Sequence, residues 1–273
     1  MSTAARVLAQ AKVNLLLHVL DREASGYHGI ETVFLRLELG DDVCVRITPG
    51  KSLDCTGPAV PPDGLGPARR NLAFRAASAY ADATGWPNGF AIEVTKRIPV
   101  GGGLGGGSAD AGAVLRALDA LSPHPLGQRL VSLATMLGAD VPFMTIESAM
   151  AAAWGRGERL LPVRPLESRS ALLIVPRDPI STADAYAWLT GDRGTYTPAA
   201  NVLSLDALGE WSRIAALARN DFERVVARRR PEIAELVDEL RAAGADIAML
   251  SGSGSTVFGI FAEPPDAARV THS

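Results

Sequence analysis

The glycine run Gly101-Gly102-Gly103-Leu104-Gly105-Gly106-Gly107-Ser108 is the part of this chain best suited to hold an anion. Without Cβ atoms, several backbone N–H groups can turn toward one phosphate and let it approach closely. A helix-like run follows over 108–121. Ala111, Val114, Leu115, Leu118 and Leu121 share one face of it, and Ser108 is placed as its N-cap. Free amides and the positive dipole end at such a helix start would complete a phosphate cradle. A strand-like run over 90–95 precedes the glycines and Leu104 anchors their middle, so the segment reads as a built loop rather than a linker. The chemistry implied is that of a nucleotide-using enzyme.

Phosphoryl transfer needs positioning, charge neutralisation and a group to accept the attacking hydroxyl's proton. Asp140, in Gly138-Ala139-Asp140-Val141-Pro142, is the candidate base. It follows a helix end, and Pro142 is expected to hold Val141 extended, presenting the carboxylate on a stiff turn. The same spacing also fits a turn aspartate that bonds its own backbone. Lys12 lies in Ala9-Gln10-Ala11-Lys12-Val13-Asn14-Leu15, a strand otherwise too apolar to welcome it. It fits either an edge-strand gatekeeper or an ammonium facing a cleft, with Asn14 on the same face.

Other phosphate loops are excluded. A Walker A loop ends in Gly-Lys-Ser/Thr, and no lysine precedes Ser108. A dinucleotide fold follows a buried apolar strand and places an acid downstream for the ribose, whereas Lys96-Arg97-Ile98-Pro99 leads into this loop. The V-A-I-K, H-R-D and D-F-G partners of a protein-kinase loop are absent.

The 273 residues, 47% apolar and 21% charged, suit one large or two small soluble domains. A net charge of −3 offers no global field for nucleic acid. Cys44 and Cys55 are too few for a disulfide framework and lack metal spacing. No signal-like or membrane-length apolar run is present, so a cytoplasmic protein is expected.

The elements that must position these residues can be read along the chain. Strands are expected over 6–20, 42–48, 90–95, 150–154, 159–163, 171–175, 246–250 and 256–261, the last two flanking Ser251-Gly252-Ser253-Gly254. Helices are expected over 71–84, 126–137, 182–189, 221–229 and 231–243, and a Pro- and Gly-rich exposed connection over 51–70. Strands and helices mix without a βαβ rhythm, which points to α+β layers. A domain boundary is expected at Gly155-Arg156-Gly157, giving an ATP-binding and catalytic domain over 1–157 and a substrate-binding domain over 158–273.

Ala11-Lys12-Val13-Asn14-Leu15, Gly26-Tyr27-His28, Pro99 through Ala111, Gly138 through Pro142 and Ser251 through Gly254 occur in this order. Together they resemble the GHMP kinases (the galactokinase, homoserine, mevalonate and phosphomevalonate kinase superfamily). Within it they resemble the branch whose acceptor is a cytidine-diphosphate-linked methylerythritol. The resemblance covers nearly the whole chain. It implies a two-domain α+β fold with the active site in the interdomain cleft, ATP as donor, and Mg²⁺ with metal ligands unknown. The implied reaction moves the γ-phosphate to the 2-hydroxyl of the erythritol in non-mevalonate isoprenoid precursor synthesis. A homoserine- or mevalonate-type kinase and a non-catalytic nucleotide-binding module are the alternatives.

By matching position, the resemblance makes Asp140 the base and Lys12 its charged partner. It places Asn71, Lys96, Pro99, Val100, Gly101, Gly102, Gly103, Leu104, Gly105, Gly106, Gly107, Ser108, Ala109 and Asp110 around ATP. Asn14, Tyr27, His28, Thr182 and Tyr186 fall on the acceptor side, the cytosine lying between Tyr27 and Tyr186. The implied partners are small molecules, with no nucleic acid or membrane, and the chain acts as a monomer or homodimer. Gln10, Ser25, Ala109 and Asp110 depart from the family pattern; the first two are expected to have small effects, and Ala109-Asp110 to alter the adenosine contacts. The family usually continues beyond the position of Phe261 through a helix and a strand. An edge element of the second domain is therefore expected to be missing or rebuilt.

Overall fold

The computed structural model describes residues 3–22, 28–192 and 204–265. Two sheets organise it. The larger is built on a long antiparallel pair, β1 (Ala4–Arg22) and β2 (His28–Ile47). β2 is long enough to serve two neighbours on its other side. Its second half pairs with β4 (Phe90–Thr95), and its first half pairs with β5 (Met150–Gly155). β3 (Lys51–Thr56) runs parallel to β4 at one edge, and β6 (Arg159–Pro162) pairs with β5. A two-residue strand, β8 (Arg219–Asn220), joins β1 from the C-terminal half of the chain.

Helices α1 (Leu72–Thr84) and α2 (Gly106–Leu121) pack on each other, and α2 lies on β1 and β2. Asn71 accepts from the Ala73 amide at 2.9 Å to start α1, and Gly85, at φ 72°, ends it. The core between helices and sheet holds Phe34, Tyr80, Phe90, Ile92, Leu115 and Leu118, all fully buried. Each such side chain contributes about 1.5–3 kcal/mol by leaving water. Two short helices, α3 (Arg129–Ala134) and α4 (Val141–Thr145), close this layer.

The smaller sheet is antiparallel, in the order β7 (Ser170–Ile174), β10 (Val257–Phe261), β9 (Ile247–Leu250). Helices α5 (Thr182–Asp192), α7 (Asp221–Ala227) and α8 (Pro231–Ala242) enclose a second core containing Phe222, Val225, Ile233, Val237, Leu240 and Leu250. α6 (Trp211–Leu217) lies between the two halves, and its Ile214 belongs to the first core. The layers are α+β, with helices segregated from largely antiparallel sheets. No described helix is long and apolar enough to cross a membrane.

Several expectations need correction. The connection expected over 51–70 begins with strand β3, whose alternation is carried inward only by half-buried Leu53 and Cys55. The strand expected over 42–48 is the last third of β2. The helix expected over 126–137 is regular only as α3, because Met136 and Leu137 bond back three residues to Leu133 and Ala134. β6, beyond the expected boundary at 157, pairs with β5 in the larger sheet. Ser25 and most of the chain beyond Phe261, including the edge element expected there, lie outside the described residues.

Candidate active site

The β1–β2 pairing slips between Gln10 and Lys12 and again between Asn14 and Leu16. At the first slip Gln10 Nε2 donates to Leu37 O at 3.0 Å, and the Lys12 amide donates to Leu104 O at 3.0 Å. The glycine loop is thereby tied to β1, with the Leu104 side chain buried beneath it. Lys12 is 3% exposed, its stretch of β1 covered by the glycine loop, so the edge-gatekeeper alternative is not realised. Its Nζ donates to Asn14 Oδ1 at 2.8 Å and Gly103 O at 3.2 Å, and stands 3.3 Å from Asp140 Oδ2.

Asp140 immediately precedes α4 in helical backbone geometry, and its side chain makes no capping bond. The turn-aspartate alternative therefore fails, and the carboxylate faces Lys12 instead. Val141 is not extended but opens α4, because Pro142 sits in the first helical turn, where no backbone N–H is needed. At an effective dielectric of 20, charges 3.3 Å apart attract by about 5 kcal/mol before desolvation is counted. The far end of α4 is clamped by Arg36, which donates to Phe143 O at 2.7 Å, Ile146 O at 2.5 Å and Ser148 O at 2.8 Å. Burial lowers the Arg36 pKa to about 10, which leaves it charged at neutral pH.

α2 begins two residues before Ser108, because Gly105, at φ 72°, makes the turn and accepts from the Ala109 amide at 2.8 Å. Ser108 is thus inside the first turn and is not the N-cap. Gly105, Gly106, Gly107 and Ser108 line a cavity of about 650 Å³ together with Lys12, Asn14 and Asp140. Across the loop a smaller cavity, about 170 Å³, is lined by Asn71, Lys96, Pro99, Val100, Gly102, Leu104 and Asp110. Gly101, Gly103, Gly105, Gly106 and Gly107 border both. Ala109 lines neither and is buried in the core, because it faces inward from the first turns of α2.

Lys96 and Asp110 meet at the floor of the smaller cavity in a buried cluster. Lys96 pairs with Asp110 at 2.7 Å and with Asp41, whose Oδ1 also accepts from the Arg97 and Ile98 amides. Burial works against the Lys96 charge, but the two carboxylates outweigh it and hold its pKa above the ordinary value. Burial pushes the Asp110 carboxyl up to about 7, and Asp41 adds to that, against the pull of Lys96.

The second half of the chain closes the other wall of the larger cavity with Pro179, Thr182, Tyr186, Phe222 and Ser253. Thr182 Oγ1 and Ser253 Oγ share a hydrogen bond at 3.1 Å. The His28 ring stacks on Tyr186, centroids 5.0 Å apart, and Phe222 meets Tyr186 edge-on at 4.9 Å. Tyr27 lies outside the described residues. Ser251 Oγ donates to Gly103 O at 3.0 Å and the Thr256 amide to Gly102 O at 3.2 Å, stapling this loop to the glycine loop. Asn220 holds the loop from behind by donating to Leu250 O and Gly252 O.

Thr32, Arg36, Asp41 and Phe222 were not legible as site residues, and Ser251 stood only within a motif that carried no assigned role. Thr32 and Arg36 are polar positions in a strand of Val and Phe, and that interruption is the signal that marks them.

The family models for "GHMP kinases N terminal domain" and "GHMP kinases C terminal" match residues 71–148 and 201–273. A 4-diphosphocytidyl-2-C-methyl-D-erythritol kinase of Anaeromyxobacter dehalogenans is 42% identical over 93% of this chain and 80% of its own length. One of Nitratidesulfovibrio vulgaris is 38% identical over 98% and 93%. A crystal structure of 4-(cytidine 5'-diphospho)-2C-methyl-D-erythritol kinase, 37% identical, superposes with a TM-score of 0.75 over 95% of this chain and 91% of that one. Homoserine kinase from Cytophaga hutchinsonii shares the fold at 20% identity, with a TM-score of 0.66 over 96% and 86%. The chain belongs to the GHMP kinases and, among them, to the 4-diphosphocytidyl-2-C-methyl-D-erythritol kinase family.

Proposed function

We propose that this chain transfers the γ-phosphate of ATP to the 2-hydroxyl of 4-diphosphocytidyl-2-C-methyl-D-erythritol, a step of non-mevalonate isoprenoid precursor synthesis. The observation that carries the reaction type is the Lys12–Asp140 pair, set at 3.3 Å between the start of α2 and the Tyr186 wall. Asp140 takes the proton of the acceptor hydroxyl as its oxygen attacks the γ-phosphorus. The bond to the β–γ bridging oxygen breaks and ADP leaves. Lys12 and the free amides at the start of α2 neutralise charge on the transferring group.

The smaller cavity takes the nucleoside end of ATP, beside Asn71, Lys96 and Asp110. The cytosine stacks at Tyr186, with His28 and Tyr27 on the same side. Asn14 and Thr182 hold the erythritol part. Among the described residues no group of three or more His, Cys, Asp or Glu could hold a metal ion. The Ser108 hydroxyl beside the glycine loop fits Mg²⁺ arriving with the triphosphate, since Mg²⁺ is held by few protein oxygens plus phosphate. Ser108 is the cleft hydroxyl that would hold it, and when bound it would neutralise phosphate charge. We place the nucleotide domain through β6 and the acceptor domain after it. The enzyme acts in the cytoplasm as a monomer or homodimer on small molecules alone.

ADP release from ATP and Mg²⁺ is measured with diphosphocytidyl methylerythritol, homoserine and mevalonate as parallel acceptors. Turnover is expected with the cytidyl acceptor alone. Asp140→Asn is expected to bind ATP normally and to lose about 10²–10⁴-fold in kcat. Unchanged turnover in that variant refutes the assignment of the base.

A further inference from the structure

A chain of buried hydrogen bonds runs from the Lys12 ammonium away from the cleft. Lys12 Nζ donates to Asn14 Oδ1 at 2.8 Å, Asn14 Nδ2 donates to Thr32 Oγ1 at 2.7 Å, and Thr32 Oγ1 donates to Leu16 O at 2.6 Å. Lys12, Asn14 and Thr32 are each at most 3% exposed. The two ends fix its direction. An ammonium can only donate and a carbonyl can only accept. Thr32 has one hydroxyl hydrogen, and Leu16 O takes it. Toward Asn14 the hydroxyl oxygen must therefore accept, so the Asn14 amide turns its NH₂ to Thr32 and its oxygen to Lys12.

We infer that Thr32 is a positioning residue for the phosphoryl transfer: its hydroxyl locks the Asn14 amide in the orientation that holds the Lys12 ammonium against Asp140. Without the hydroxyl, the buried Asn14 NH₂ loses its acceptor, and only the mobile end of Lys12 still holds the amide. The Asn14 side chain then shifts to find another partner, and the ammonium that follows its oxygen is drawn off its line to Asp140. Thr32 lines neither the larger nor the smaller cavity, so it acts only through Asn14.

The inference rests on the reading of Lys12 and Asp140 as the reacting pair, and wild-type turnover tests that reading separately. The experiment measures kcat and both KM values for wild type, Thr32→Val and Thr32→Ser, alongside thermal melting. Valine removes the hydroxyl at nearly constant volume, and serine keeps it. Thr32→Val is expected to lower kcat about tenfold, the order of one buried hydrogen bond, with the ATP KM within about twofold of wild type. Thr32→Ser is expected to restore kcat to within about threefold. If the valine methyl crowds Asn14 and prevents folding, Thr32→Ala removes the hydroxyl without that methyl and is expected to show the same split. A merely structural threonine would lower the melting temperature of both variants and leave kcat per folded enzyme intact, which overturns the inference. Equal kcat in wild type, Val and Ala variants also overturns it. Absence of wild-type turnover removes the underlying reading and the inference with it.

Discussion

At Gly103 the glycine loop lies directly against Ser251, and Gly103→Ala tests whether that contact sets the reaction geometry. A Cβ at Gly103 would lie 2.1 Å from Ser251 O and 3.0 Å from Ser251 C. Ordinary carbon–oxygen contact needs over 3 Å, so the two loops must part by about 1 Å. The backbone there is left-handed, at φ 78°, which costs an alanine about 1–2 kcal/mol. Parting the loops also weakens the bonds that Gly103 O accepts from Ser251 Oγ and from Lys12 Nζ, each worth about 1 kcal/mol. The sum is about 2–4 kcal/mol, or a melting temperature lower by about 4–8 °C for a chain of 273 residues.

The kinetic effect is larger, because Lys12 loses an anchor and the cradle moves relative to Tyr186. A displacement of about 1 Å costs roughly 10²-fold in rate. The assay is ADP release with both substrates varied, together with thermal melting. Gly107→Ala is the paired comparison. Its Cβ would meet only Leu72 Cδ1, at an ordinary 3.7 Å, and its position inside α2 favours alanine by up to about 1 kcal/mol. That variant is expected to melt no lower than wild type while its ATP KM rises, because the methyl enters the space kept for phosphate. Near-wild-type kcat/KM and melting in Gly103→Ala would refute the close-contact argument. An unchanged ATP KM in Gly107→Ala would refute the cradle.

Two further outcomes follow from the cavity walls. Tyr186→Ala is expected to raise the acceptor KM about 5- to 100-fold with little change in kcat, since stacking of about 1–3 kcal/mol is equal in ground and transition states. A fall in kcat at saturating acceptor would contradict that. Asp110, at about 7 in the folded protein against 3.8 ordinarily, keeps a proton that the unfolded chain releases. Its contribution to stability is complete below about pH 4 and is lost as pH rises through about 7, with a slope of at most 1.4 kcal/mol per pH unit. Asp110→Asn removes that slope, so urea unfolding at pH 5 and pH 8 should show the variant gaining on wild type at the higher pH. Parallel behaviour at both pH values would count against the raised carboxyl.

What was legible in the sequence is what chemistry compresses into short runs. The glycine loop stands in a local pattern with few other uses, whereas Lys12 and Asp140 each also fitted an ordinary structural place, and only the family resemblance named roles for them. What was not legible depends on chain distant in sequence. Ser108 reads as a good cap, but the turn at Gly105 starts the helix earlier, and only its positive φ reveals this. The first half of β2 hides because Thr32 and Arg36 face polar work inside and break the apolar run. Lys96 and Asp110 were placed beside ATP by motif position alone. That Asp41 completes their charge balance requires β2 and β4 to pair, which no local pattern states.

The glycine loop laid against the open side of β1 explains how a buried lysine is tolerated there. Burying an ammonium costs several kcal/mol unless its protons find acceptors. Lys12 and Arg36 form a pair whose amides point away from each other, Arg36 to Ala149 and Lys12 to Leu104, and this outward bond brings Gly103 O within 3.2 Å of the ammonium. Asn14 supplies the second acceptor from the same strand, and Asp140 the third from α4. These three acceptors come from a loop, a strand and a helix start, each held by its own clamp: Ser251 on Gly103, Thr32 on Asn14, and Arg36 on α4. The ammonium is therefore stable only when all three elements are in place, and the same condition aligns Asp140 with the amides of α2. Folding energy and catalytic alignment depend on one atom, so loosening any clamp should reach the rate even where it does not touch a substrate.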